Sequence, residues 1–234
     1  AYKKIFARLG LPVKVVEAAG GDFTTDYTHE FQVLIDSGED TVFYCDACDF
    51  AQNKEVAKVA GGDVCPNCGG RVKEARGIEV GNIFRLGTKF SEAAKLMYKD
   101  SSGAQKLVVM GSYGIGPSRA MGAAVELYHD DAGIVWPKEI APFQVHLIAL
   151  SGGERQADEA YERFLNASVD VLYDDRRDAS AGEKLADADL IGIPVRVVAS
   201  AKTADANELE VKARGESTAS RMPLKEVLEH IHAQ

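Results

Sequence analysis

No apolar run in the 234-residue sequence approaches the roughly 18 residues needed to cross a bilayer, and no secretory signal opens it. Those absences predict a cytoplasmic protein with no membrane partner. Positive charge is also short. Lysines and arginines number 27 against 36 aspartates and glutamates, the net charge is -9, and acidic residues outnumber basic ones on both sides of Pro142. This excludes a module that holds nucleic acid by bulk attraction for phosphate; contact with RNA would rest on local clusters and on reading exposed bases. Methionine is missing from position 1, where Ala1 stands inside an apparent helix, so a cut or processed end is expected. What remains, 46% hydrophobic and 27% charged, is a globular composition with length for one large or two ordinary domains.

The richest stretch is Leu107 to Glu126, LVVMGSYGIGPSRAMGAAVE. Its apolar start leads into Gly111, Gly114 and Gly116, and Pro117 then opens a run of small and apolar residues suited to a closely packed helix. It reads as strand, glycine turn, helix. Arg119 falls in the first helical turn, where free N–H groups and the dipole favour an anion. The same glycines also suit simple tight packing of a helix on a sheet, and spacing alone leaves both readings open.

Upstream, residues 2 to 9 predict a short helix burying Ile5, Phe6 and Leu9, stopped by Gly10 and Pro12. Val13 to Val16 reads as a strand. After Gly20-Gly21, the polar residues Thr28, His29, Glu30 and Gln32 stand at the head of an apolar run. That pattern fits either a solvated strand edge or a small-ligand pocket. Four cysteines follow, Cys45, Cys48, Cys65 and Cys68, spaced C-x2-C, sixteen residues, C-x2-C, as in zinc ribbons. Two such knuckles complete the thiolate tetrahedron of a structural Zn2+, with no open catalytic position; disulfides are the competing reading, disfavoured without export features. Gly77 to Phe90 alternates as a half-buried strand, and Ala94 to Asp100 with Lys106 to Ser112 predicts a hairpin around SSGAQ, although Glu92 and Lys95 also suit a helix.

Gly133, Pro137 and Pro142 mark a boundary. Beyond it the sequence alternates strand 143–150, helix 154–165, strand 169–173, helix 182–191, strands 195–199 and 209–214, and helix 224–231. This predicts an α/β domain with a largely parallel or mixed sheet. Ligands favour the carboxyl ends of strands in such sheets, which draws attention to Asp174-Asp175-Arg176-Arg177, otherwise an ordinary solvated charge run.

The stretches THEFQ (28 to 32), GIEVGNIFRLGTKFSEA (77 to 93), MGSYGIGPSRAMGAAVE (110 to 126), GIVWPKEIAPFQV (133 to 145) and DDR with ADADLIGIP (174 to 176, 186 to 194) together resemble bacterial prolyl-tRNA synthetases over nearly the whole chain. The resemblance implies an α/β (α+β) fold. Residues 1–140 would be the C-terminal part of a class II catalytic domain on an antiparallel sheet, with the ribbon at about 43–72 and motif 3 at about 107–126; residues 141–234 would be the anticodon-binding domain. It further implies that Arg119 contacts the phosphate and adenine of ATP, bound with Mg2+, and that Gly116 and the neighbouring glycines let the nucleotide lie close. Glu30 would meet the imino group of proline, with His29 and Gln32 orienting it and Ser112 and Gly114 near the same pocket. Asp175, Arg176 and Lys184 would face anticodon bases of tRNA(Pro).

Two departures from the family qualify this. The large editing insertion is replaced by the short ribbon, so hydrolysis of alanyl-tRNA is not expected. Motifs 1 and 2 are not found and would lie before Ala1, so the chain alone is expected to be inactive, completed by a separate N-terminal chain or as a homodimer of the whole enzyme. A non-catalytic synthetase-like RNA- or protein-binding paralogue is the competing class, opposed by the presence of Arg119, Glu30 and the glycines; a zinc-ribbon scaffold accounts for only about thirty residues.

Overall fold

A computed structural model describes residues 1–233, which divide into two compact units, Ala1–Glu126 and Leu127–Gln234. The first unit begins with helix α1 (Tyr2–Arg8), followed by β1 (Val13–Ala18), β2 (Thr28–Leu34), β3 (Asp40–Cys45), β4 (Ala51–Asn53) and the long β5 (Val72–Gly87). Helix α2 (Lys89–Ala94), the hairpin β6 (Met97–Lys99) and β7 (Gln105–Leu107), then β8 (Met110–Ile115) and α3 (Pro117–Leu127) complete it. The six-stranded sheet runs β2-β1-β4-β3-β5-β8, antiparallel except for the β1–β4 contact.

Strand β5 is long enough to serve three neighbours. Its first residues pair with β3, its middle with β2, and its end with β8 on the opposite edge. Phe6 of α1 packs fully buried against Phe31, with Tyr2 beside both rings, so α1 covers the face of β2 that carries Phe31. Ile5, expected in that core, is instead exposed.

Two local expectations change. Gly111 and Gly114 lie within β8, and only Gly116 stands at the turn into α3, because β8 keeps its ladder with β5 as far as Ile115. The segment after Gly87 is helical over Lys89–Ala94, held by the Ser91 hydroxyl donating to the Thr88 carbonyl and the Thr88 hydroxyl to Glu92, so the hairpin starts only at Met97.

In the second unit, β9 (His129–Asp130) and β10 (Gly133–Ile134) form a short ladder. There follow β11 (Val145–Ala149), α4 (Glu154–Asn166), β12 (Val171–Asp174), α5 (Ala181–Ile191), β13 (Val195–Ala199), α6 (Ala201–Ala206), β14 (Leu209–Ala213), β15 (Ser220–Met222) and α7 (Leu224–Ala233). The sheet order β12-β11-β13-β14-β15 is mixed, with three parallel strands and an antiparallel edge pair. Phe164, Leu147, Val197 and Val227 centre its core.

Residues 127–140, expected with the first domain, pack in the second unit. The Arg214 guanidinium grips both oxygens of Asp130 at 2.7 and 2.6 Å, and the Trp136 indole donates to the Ile191 carbonyl at 3.0 Å. Gly192 closes α5 in the left-handed region, φ 78, and its α-carbon lies so close to the Ile134 carbonyl oxygen that any side chain would collide with it. Gly192→Ala is therefore expected to destabilise this unit by about 2 kcal/mol or more, from left-handed strain plus the clash. Trp136, the single tryptophan, makes urea unfolding followed by fluorescence the direct measurement.

Candidate functional site

Alternation along β2 sends Thr28, Glu30 and Gln32 to one face and His29 to the other. Gln32 is fully buried and Glu30 is 8% exposed. The Gln32 amide nitrogen donates to Glu30 Oε2 and to Asp40 Oδ2, each at 2.7 Å, and Asn53 Nδ2 lies 3.3 Å from the same Glu30 oxygen. With two carboxylates on its nitrogen side, the amide's orientation is determined. Its Oε1 then lies over Gly77, where a side chain could not fit, and has no partner among the described residues.

The ladder between β2 and β5 slips between Phe31 and Gln32, so that Gln32 pairs with Glu79 while Phe31 pairs with Gly81. This bulge turns Glu79 to the same face as Asn82, whose amide donates to Glu79 Oε1 at 3.0 Å. The Thr28 hydroxyl lies against Asn82 Oδ1 and the Ile83 carbonyl. Burial pushes the Glu30 carboxyl up to about 6; the Gln32 and Asn53 bonds oppose this, while Glu79 and Asp40 add to it. Glu79 is raised too, again by burial first, with the Asn82 bond opposing.

On β8, Gly114 pairs with Asn82, which on its other side pairs with Glu30, so the three form one row across the sheet. Ser112, opposite Phe84, follows on the same face. Nothing would meet a side chain at Gly114, so the space above it is open. The Gly116 amide donates to the Val80 carbonyl, and its carbonyl accepts the Ala120 amide, which starts α3. Arg119, in the first turn, donates through Nε to the Glu79 carbonyl at 2.7 Å and pairs its outer nitrogen with Glu39. The structure thus brings Glu30, Gln32, Ser112, Gly114, Gly116 and Arg119 together. It places His29 on the reverse face.

The cysteines sit on two tight turns, with the Cys45 amide donating to Phe50 and the Cys65 amide to Gly70. Cys45 and Cys68 sulfurs are 3.6 Å apart, as are Cys48 and Cys65, and all four lie within 4.8 Å of one another. Disulfide sulfurs would be at about 2.05 Å. A tetrahedron of thiolates at about 2.3 Å from zinc has edges of about 3.8 Å, which these separations fit. Gly70 keeps the space beside Cys68 and Cys45 clear.

In the second unit the carboxyl ends of β11 and β12 open on a cavity of about 570 Å³ bordered by Asp175, Arg176, Arg177 and Lys184. Lys184 is 3% exposed; its ammonium donates to the carbonyls of Ala149 (2.8 Å) and Asp174 (3.3 Å), bracing the two strands. Arg176 grips Asp174 at 3.0 and 2.8 Å and Asp187 at 2.8 Å, and this guanidinium holds the Asp174 carboxyl down to about 2. Sequence reasoning singled out Asp174 within the charge run that follows the strand 169–173, and passed over Asp187, Glu39, Asp40, Glu79, Asn53 and Asn82.

Comparison with known proteins agrees with this layout. The family described as tRNA synthetase class II core domain (G, H, P, S and T) matches residues 1–128, and the family described as anticodon binding domain matches residues 144–234. A proline–tRNA ligase of Heliobacterium modesticaldum is 47% identical over 193 residues, covering 79% of this chain and 33% of that protein. One from Halothermothrix orenii is 45% identical over 172 residues, covering 71% and 30%. One from Brucella abortus is 37% identical over 264 aligned positions, covering all of this chain and 59% of that protein. The chain thus spans between about a third and three-fifths of the length of these relatives.

A carboxyl whose pKa is raised on folding from 4.5 to about 6 contributes stability that is fully present below pH 4.5 and is lost as pH rises through 6. The loss attributable to Glu30 is about 2 kcal/mol. In Glu30→Gln this part of the decline between pH 4.5 and 6.5 should disappear, which paired urea-unfolding curves of variant and parent chain across that window will measure.

Proposed function

The chain belongs to the class II tRNA synthetases, and we propose that it carries one wall of a site that activates proline with ATP, joined to the domain that recognises tRNA(Pro). The observation that carries this reading is the row of Glu30, Asn82 and Gly114 across three strands, with Arg119 anchored on the backbone of Glu79. A secondary ammonium needs anions and acceptors within a partly desolvated pocket. Glu30, backed by Asp40 and Glu79, offers them, and Gln32 fixes the direction of the Glu30 carboxylate. Ser112 borders the same face, and the absence of a side chain at Gly114 leaves room for the ring.

No side chain acts as nucleophile. A proline carboxylate oxygen attacks the α-phosphorus of ATP, the bond to the β,γ-diphosphate breaks, and pyrophosphate leaves with its Mg2+. A terminal ribose hydroxyl of the tRNA then attacks the prolyl carbonyl and AMP departs. The protein's part is positioning and charge compensation. Arg119 exchanges Glu39 for ATP phosphate or adenine, a task that suits its planar, permanently charged fork; Gly116 admits the nucleotide beside it. The opposite wall, motifs 1 and 2, comes from the same polypeptide or from a second chain, and the whole enzyme is a cytoplasmic homodimer. Zinc in the four-thiolate cluster is structural, since all four positions are taken. Asp175 and Arg176 present polar groups to unpaired anticodon bases at the mouth of their cavity, and Lys184 supports them from beneath.

In an assembly that supplies motifs 1 and 2, Arg119→Ala should lower proline-dependent pyrophosphate exchange about 10²–10³-fold while leaving the unfolding curve in place. Unchanged exchange would sink the assignment. Metal analysis of chain prepared without chelator should find one zinc per chain, lost in Cys65→Ser; a zinc-free preparation that folds would remove the metal from this account.

A further inference from the structure

His29 faces a cleft of about 500 Å³ on the reverse of the sheet, between β1, β2 and β4 and the two cysteine turns. Its apolar lining comes from Val15, Phe50, Val59 and Pro66. Its polar groups differ in how they are held. Glu17, in register with both His29 and Gln52, accepts a bond from the Gln52 amide at 2.9 Å through one carboxylate oxygen, and the other oxygen is open. The imidazole of His29 and the ammonium groups of Lys3 and Lys58, all bordering the cleft, make no hydrogen bond or ion pair with a described residue.

We propose that this cleft binds a free α-amino acid with a large apolar side chain, at a site separate from that of Glu30 and independent of the function proposed above. A cleft with apolar walls, one fixed carboxylate and unpaired cationic groups matches a ligand that carries an ammonium, a carboxylate and an apolar body. Glu17 takes the ammonium, because Gln52 already holds its carboxylate in place. Lys58, Lys3 and the His29 N–H take the carboxylate. The body of the ligand lies on Phe50 and Pro66. A phosphorylated ligand fits less well, since Glu17 and Asp49 would both face its charge. A wholly apolar ligand would cover the lysine ammoniums and the open Glu17 oxygen without supplying partners for them.

The test is a titration of the zinc-loaded full chain with L-leucine and L-phenylalanine, read by NMR from the His29 ring, one of five histidines, identified by its loss in His29→Gln. Saturable His29 shifts are expected at about millimolar affinity. Glu17→Gln and Lys58→Ala should each weaken binding about tenfold or more, since each removes one charge-assisted bond. 4-Methylpentanoic acid and isopentylamine, each keeping only one of the two charged groups, should bind at least about tenfold more weakly for the same reason. Glu30→Gln should leave the affinity unchanged. Absence of a His29 shift with either amino acid, equal binding of a single-charge analogue, or loss of binding in Glu30→Gln would each overturn the proposal. None of these results bears on Arg119 or on pyrophosphate exchange, so the two readings fail separately.

Discussion

Strand β5 pairs with three other strands along sixteen residues, and one slip in its register against β2 decides what the sheet can do. Without the bulge, Glu79 would point to the face covered by α1. With it, Glu79 joins Glu30, Asp40, Gln32 and Asn82, while its backbone carbonyl takes the Arg119 guanidinium. Three carboxylates near one another repel, and burial raises the energy of each. The fold sustains them by giving each a neutral amide donor instead of a buried countercharge. The raised Glu30 pKa is the measurable trace of that arrangement.

The second unit answers the same problem with opposite means. Asp174 is buried but fully paired, between Arg176 and Lys184, and its pKa is driven down. Such a cluster adds little net stability, because desolvation consumes most of the Coulomb attraction. Its effect is geometric: Lys184 ties the ends of β11 and β12 together, and Arg176 is held at the cavity mouth with part of its guanidinium outward. In a chain of net charge -9, which offers no bulk field for phosphate, these fixed donors stand out as a local basic cluster.

How far the sequence disclosed this depended on the range of each interaction. Strands and helices of the second unit were readable because each is a short periodic segment, several of them bounded by Gly or Pro. The short α6 and β15 were missed for lack of any period. Cys45, Cys48, Cys65 and Cys68 were readable because a repeated C-x2-C spacing is local, and the structure gathers its four sulfurs within 4.8 Å of one another. Glu30 and Gln32 stood out as polar groups at the head of an apolar run. Their partners did not, because Asp40, Asn53, Glu79 and Asn82 are joined to them by register, and a bulge leaves no mark in composition. His29 was grouped with Glu30 by adjacency, yet strand alternation sends neighbours to opposite faces. Gly111 and Gly114 were read as part of a glycine turn when they lie within the strand, since glycine inside a strand looks the same in sequence as glycine that bends a chain.

Strand β3 connects the cysteine cluster to the carboxylate pocket. Asp40, which accepts a Gln32 bond, opens the strand, and Cys45, one of the four clustered cysteines, ends it. Five residue steps separate them, about 17 Å. That exceeds the Debye length of about 8–10 Å, so a metal's charge has little direct effect on Glu30 or Asp40 across the solvent-exposed side of the sheet. Any influence of the metal on the pocket must therefore be mechanical. Cys45 also pairs with Val72 at the start of β5, so anchoring it holds the β3–β5 ladder at the end remote from Asp40 and Gly77. The register of β5, and with it the direction of Glu79, is what that anchor protects.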